Sequence, residues 1–170
     1  AYDELEDKGI KSLIIDIRNN GGGIVDEALG IAELMTDKDD ILLIEKDKNE
    51  NEIITKSTKD KKINMPIVLL VNQYSASASE ILAGILKENV DNATLIGNKT
   101  YGKGVIQTLY PLSDNSGLKI TTDEYYTPNH NEINKVGIEP DIKIDDYIYT
   151  GELDLKNDTQ LKRAIEELTK

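Results

Sequence analysis

The alternation of apolar and polar positions changes period along the chain. Two short runs are continuously apolar, SLIIDI at 12–17 and PIVLLVN at 66–72, each bounded by polar or turn residues. Runs this rich in Ile, Leu and Val predict strands buried on both faces, as in a parallel sheet covered by helices. Each is followed by a loop and then a helical period. After RNNGGG, the stretch IVDEALGIAELM at 24–35 has apolar residues at 24, 25, 28, 29, 31, 32, 34 and 35. After NQYSASAS, Ile81, Leu82, Ile85 and Leu86 share one helix face. Two successive strand–loop–helix units predict an α/β layer.

The remaining segments are shorter. ILLIEK (41–46) and NEIITKS (51–57) predict a hairpin turned by Asp47–Asn51. Within it, DKNEN resembles the start of a calcium loop but lacks the required Gly and the distal Glu, so it reads as a plain turn. TLIG (94–97), VIQTLY (105–110), GLKITT (117–122), EYYT (124–127) and DIKI (141–144) predict additional short strands. A last helix from Asp158 presents Leu161, Ala164, Ile165 and Leu168 on one face, with Asp158 as its N-cap. No internal repeat or second domain is evident, so 1–170 reads as a single domain. The chain opens without Met, partway through the helical pattern AYDELEDKG, and reads as a piece of a longer protein.

Composition narrows the function. The 170 residues suit one domain with a real core, which eight Tyr and no Phe or Trp leave to Ile, Leu, Val and Ala. A net charge of −12 argues against nucleic acid and against an anionic membrane surface. The absence of Cys excludes disulfides, thiolate nucleophiles and Cys-ligated metals. Asp and Glu are abundant but form no spaced cluster with His or Cys, so neither a metal nor another cofactor is expected.

Ligands of α/β sheets collect at the carboxyl ends of the strands. RNNGGG and NQYSASAS both fall there, side by side if the two strands are neighbours. Gly21–Gly23 expose backbone N–H groups that can hold an anion, or else serve a tight turn. A phosphate or nucleotide site is disfavoured by the net charge and by the lack of a following Lys-Ser/Thr. In YSASASE, a serine at a helix start beyond a buried strand has the setting of a nucleophile elbow, although G-x-S-x-G is absent. Ser77-x-x-Glu80 also fits a capping box, which needs no chemistry.

A serine nucleophile needs a base. The one histidine, His130 in TPNHNE, reads as an exposed turn residue, which leaves Lys or a carboxylate. Lys103 stands out in TYGKGVIQ, between two glycines and beside Tyr101, Val105 and Ile106. Burial there would favour its neutral form, as a general base requires, while a surface hairpin lysine is the competing reading. Gln107, on the same strand face, is placed to orient it.

LIIDIRNNGGG, VNQYSASASEILAG, GNKTYGKGVIQ, ITTDEYYTPN and VGIEPDI together, in this order, resemble the carboxy-terminal processing peptidases, or tail-specific proteases, which are Ser–Lys endopeptidases. The resemblance runs from about Leu13 to Ile142. It implies Ser77 as nucleophile, Lys103 as general base, Gln107 as its support, and an oxyanion hole from Ala78 N–H with Gly22 or Gly23. It implies a crotonase-like α/β core acting on the C-terminal tails of proteins or peptides. It also implies an upstream segment and a PDZ domain, neither present in these 170 residues. The family acts outside the cytoplasm, in the cell envelope, and the full-length form is then membrane-associated, periplasmic or secreted. One departure is Gly21, where the family loop usually has proline. Some relatives of this fold bind ligands without proteolysis, so a non-catalytic peptide- or ligand-binding module is the alternative.

Overall fold

The computed structural model describes residues 2–145 and 155–170. Its elements in chain order are α1 (Tyr2–Asp7), β1 (Leu13–Asp16), α2 (Val25–Ala32), β2 (Ile41–Asp47), β3 (Glu52–Lys56), β4 (Ile67–Val71), α3 (Ala78–Asn89), β5 (Ala93–Gly97), β6 (Val105–Pro111), β7 (Gly117–Tyr126), β8 (Ile142–Lys143) and α4 (Thr159–Leu168). They form two four-stranded sheets. One is parallel, ordered β1-β4-β5-β8, and the other antiparallel, ordered β3-β2-β7-β6. The α/β class with strand–loop–helix units is therefore observed.

The apolar run at 66–72 forms the central strand β4, and all five of its residues are buried. Its side chains alternate between two cores, as the period of a strand requires. Ile67, Leu69 and Val71 join the larger cluster, with Ile81, Ile85 and Leu86 of α3, Leu42 and Leu43 of β2, and Tyr125 of β7. Val68 and Leu70 face the other way, against Leu161 and Ala164 of α4. Helix α3 buries every residue from Ala78 to Leu86, being covered on all sides.

The other apolar run behaves differently from expectation. β1 lies at the sheet edge and is only half-buried, because no strand among the described residues flanks its far side. Continuous apolarity reported strand character but not full burial. GLKITT and EYYT likewise merge into the single strand β7, paired along β6 with one register shift between Ile106 and Gln107. Asp123, which suggested a break, stays in the ladder opposite Ile106. Helix α2 is shorter than 24–35, leaving Ile24 and Ile31 exposed. The Asp47–Asn51 hairpin forms as expected, with the Asp47 carboxylate taken up by the N–H groups of Asn49 and Asn51.

Arg18, just beyond β1, ties the edge strand to α4. Its guanidinium pairs with Asp16 at 2.6 Å and Asp158 at 2.7 Å, and donates to Gln160. Asp158 meanwhile caps α4 by accepting from Leu161 N–H. Burial pushes the Asp158 carboxyl up, but the hydrogen bonds from Arg18 and the helix N-terminus outweigh it and hold its pKa below the ordinary value. A depressed folded pKa gives stability that is present above the unfolded value and lost as pH falls through the folded one. Urea midpoints of the wild type should therefore drop steeply as pH falls below 3.8, the ordinary aspartate value. Asp158→Asn should be less stable at neutral pH and show a shallower acid slope. Equal slopes would remove Asp158 from this account.

Candidate active site

β1 and β4 are parallel neighbours in register, Leu13 opposite Ile67 through Asp16 opposite Leu70. Their following loops, RNNGGG and NQYSASAS, therefore emerge side by side. Asparagines fasten them together. Asn72, fully buried, accepts from Asn19 N–H at 2.9 Å and donates its amide to Asn19 Oδ1 at 3.0 Å. Ala76 N–H donates to Asn20 O at 3.0 Å. Ser75 is structural, its hydroxyl donating to Ile17 O at 2.8 Å and accepting from Asn72 N–H.

Ser77 is the turn between the β4 loop and α3. Its φ of 59° and ψ of −123° are a left-handed conformation that non-glycine residues rarely adopt. Such strain costs about 1–3 kcal/mol and persists only where surroundings enforce it. Here two surroundings hold it, the Glu80 carboxylate that accepts from Ser77 N–H and the close approach of Gly22. With φ +100°, a Cβ on Gly22 would lie 2.7 Å from both Ala76 O and Ser77 Cβ, and 3.0 Å from Ala78 N. The glycine loop is thus pressed against the Ser77–Ala78 peptide.

The two glycines that the sequence left as alternatives differ in the structure. Gly22 N–H is occupied, donating to Asn20 Oδ1 at 2.9 Å. Gly23 lines the cleft beside Ser77, and its N–H has no hydrogen-bond partner among the described residues. Ala78, the first residue of α3, is buried, and its N–H is likewise without a partner among them. Gly21, where the resembling family has proline, has open space where a Cβ would stand.

A third loop, TYGKG, carries Lys103. Its placement rests on Glu80, whose carboxylate is fully buried. Oε2 accepts from Ser77 N–H at 3.0 Å and Lys103 N–H at 2.8 Å. Oε1 accepts from Gly102 N–H at 2.7 Å and from Thr100 Oγ1–H at 2.6 Å. The capping contact expected of Glu80 is present, but it is one of four. Thr100 in turn accepts from Ile138 N–H at 2.7 Å, which docks the VGIEPDI segment behind the loop. Gly104 lets Asn134 approach, since a Cβ there would meet Asn134 N at 2.4 Å.

Ser77, Lys103, Gln107 and Gly23 line one open cleft of about 210 Å³, completed by Val25, Val105, Ile106, Lys119 and Tyr125. Lys103 is half-buried, and its ammonium has no hydrogen-bond or ion-pair partner among the described residues. No hydrogen bond joins it to the Ser77 hydroxyl or to Gln107, which is exposed. His130 stands apart in an exposed turn, 3.5 Å from Glu52. Sequence reasoning missed Asn19, Asn72 and Tyr125, and saw only the local part of Glu80. The paired asparagines of RNN and VNQ, at the ends of adjacent strands, were the available signal.

The glycine contrast gives a test. Gly22→Ala should lower urea-unfolding stability by about 2 kcal/mol or more, from the left-handed φ and the contacts to Ala76 and Ser77. Gly21→Ala should stay within about 0.5 kcal/mol of wild type. Equal effects would contradict the packing described.

Comparison with known proteins matches these features to a family. Residues 1–144 match Peptidase family S41. The chain is 39% identical over 170 residues to the carboxyl-terminal-processing protease of Synechocystis sp., spanning 99% of this chain and 39% of that protein. It is 38% identical over 154 residues to the chloroplastic C-terminal processing peptidase of Tetradesmus obliquus, spanning 91% of this chain and 33% of that one. The solved structure of a photosystem II D1 C-terminal processing protease superposes with a TM-score of 0.78 at 38% identity, covering 92% of this chain and 40% of the other. The chain thus spans 33 to 39% of the length of these two sequence relatives. With its strand–loop–helix pair, glycine loop and SASASE turn, the chain belongs to Peptidase family S41.

Proposed function

We propose that this chain carries the active site of a serine endopeptidase that processes the C-terminal tails of proteins. The observation that carries the reading is the meeting of Ser77, on a strained turn at the head of α3, with Lys103 across one cleft. Ser77 Oγ attacks the scissile carbonyl carbon as its proton passes to Lys103 Nζ. The carbonyl oxygen, now negative, is held by Ala78 N–H and Gly23 N–H. Gly23 is preferred to Gly22, whose N–H is already spent on Asn20. Collapse breaks the C–N bond, Lys103 returns the proton to the leaving amine, and an acyl-enzyme remains on Ser77. Water activated by Lys103 then releases the acid.

The Lys103 side chain turns toward Ser77 when substrate fills the cleft. Catalytic hydrogen bonds commonly tighten only in the substrate complex. Among the described residues Nζ has no acidic partner, which leaves it free to make that movement. Gln107, in the same cleft, supports the lysine once it has turned. Val25, Val105 and Ile106 give the cleft an apolar wall for a substrate side chain. C-terminal tails of proteins as substrates follow from the relatives, which are C-terminal processing peptidases, several of them chloroplastic, and action outside the cytoplasm follows from the family resemblance. Among the described residues, no helix is long and apolar enough to cross a membrane.

In the full-length protein, Ser77→Ala and Lys103→Ala should each reduce peptide hydrolysis by more than roughly 1,000-fold. A fluorophosphonate should label Ser77 in the wild type. Undiminished hydrolysis in either variant would sink the dyad. Peptide binding with neither hydrolysis nor labelling would favour a binding module.

A further inference from the structure

Lys103 is held by its main chain and not by its side chain. Its N–H donates to Glu80 Oε2, and its C=O accepts from the hydroxyl of Tyr125. The next carbonyl, of Gly104, accepts from Tyr125 N–H at 3.0 Å. One residue of β7 thus grips two consecutive carbonyls of the lysine loop. The Tyr125 ring is 2% exposed and packs in the main core, while its hydroxyl end reaches the cleft beside Ser77.

A buried hydroxyl is costly unless it is hydrogen-bonded, and a phenylalanine would fill the same core space. We propose that Tyr125 is a positioning residue, whose hydroxyl fixes the Lys103 main chain at the distance from Ser77 that proton transfer requires. The role rests on the reading of Lys103 as general base. Glu80 and Tyr125 then hold the lysine peptide from its two ends, one by a carboxylate and one by a phenol. The side chain alone is left to move. Burial, with the nearby Glu80 charge, raises the Tyr125 pKa well above its usual value, and the adjacent Ser77 hydroxyl opposes this only in part. The phenol therefore stays protonated, and remains a donor, throughout the neutral and mildly alkaline range.

The test is Tyr125→Phe in the full-length protein, read in two ways. Without substrate, amide exchange at Lys103 and Gly104 should accelerate relative to wild type under identical conditions. With substrate, kcat and the rate of Ser77 labelling by a fluorophosphonate should fall by roughly 10- to 100-fold, with KM unchanged, as expected for a misplaced catalytic group. Placing 3-fluorotyrosine at 125, which keeps the hydroxyl, should restore both. It also serves as the folded comparison if the phenylalanine variant is unstable, because loss of activity in it despite the retained donor contradicts the proposal. Unchanged exchange in Tyr125→Phe overturns the tether. Faster exchange with unchanged kcat and labelling overturns the positioning role. A wild type that neither cleaves peptides nor labels overturns the peptidase reading and this role with it, while the exchange result still decides the tether.

Discussion

Everything at the cleft hangs on one buried carboxylate. Glu80 is wholly removed from water, and an isolated charge there would be prohibitively costly. It is compensated by four donors, from Ser77, Thr100, Gly102 and Lys103. Three are backbone N–H groups, so the compensation exists only when both loops adopt this one conformation. Ser77 and Lys103 lie on different segments, yet their N–H groups converge on the same oxygen. Their main chains cannot drift apart without leaving that oxygen short of a partner. The strained φ of Ser77 is enforced from below by Glu80 and from the side by Gly22.

The rest of the fold serves to bring the loops within reach of that carboxylate. Parallel pairing of β1 and β4 puts two loops at the same edge, and β5 delivers the third. Gly97, at the end of β5, is obligatory, since a Cβ would meet Val71 O at 2.0 Å. Asn19 and Asn72 lock the first two loops, and Tyr101 N–H donates to Ser75 O to fasten the third to the second. Arg18 anchors the floor through Asp158, so α4 is tied to the end of β1 from which the glycine loop springs. These contacts lie in the backbone and the buried polar side chains, whereas Lys103 Nζ and Gln107 are left to adjust.

Much of this was legible where the signal is local. The central strand, the hairpin turned at Asp47–Asn51, the Asp158 cap and the exposure of His130 all follow from a few adjacent residues. What was not legible depends on partners far along the chain. The Arg18–Asp158 pair spans 140 positions, and Glu80 to Lys103 spans 23. A capping box explained Glu80 fully at the local level, which concealed its larger role. β1 and β4 read alike, but their burial differs because one is an edge and the other is central. Gly22 and Gly23 are chemically identical, and only the folded loop separates them, through the Asn20 contact of Gly22 N–H and the close approach of Gly22 to Ser77.

The most direct test of the central claim is Glu80→Gln, followed by urea unfolding and by the rate of Ser77 labelling with a fluorophosphonate. The amide must aim its NH₂ at two groups that are themselves donors, so at least one pair is lost. The account predicts a stability loss of about 2–4 kcal/mol. Labelling should slow by roughly tenfold or more in the protein that remains folded, as the serine and lysine loops separate. A variant with wild-type stability and wild-type labelling would show that the two loops are held by something other than this carboxylate.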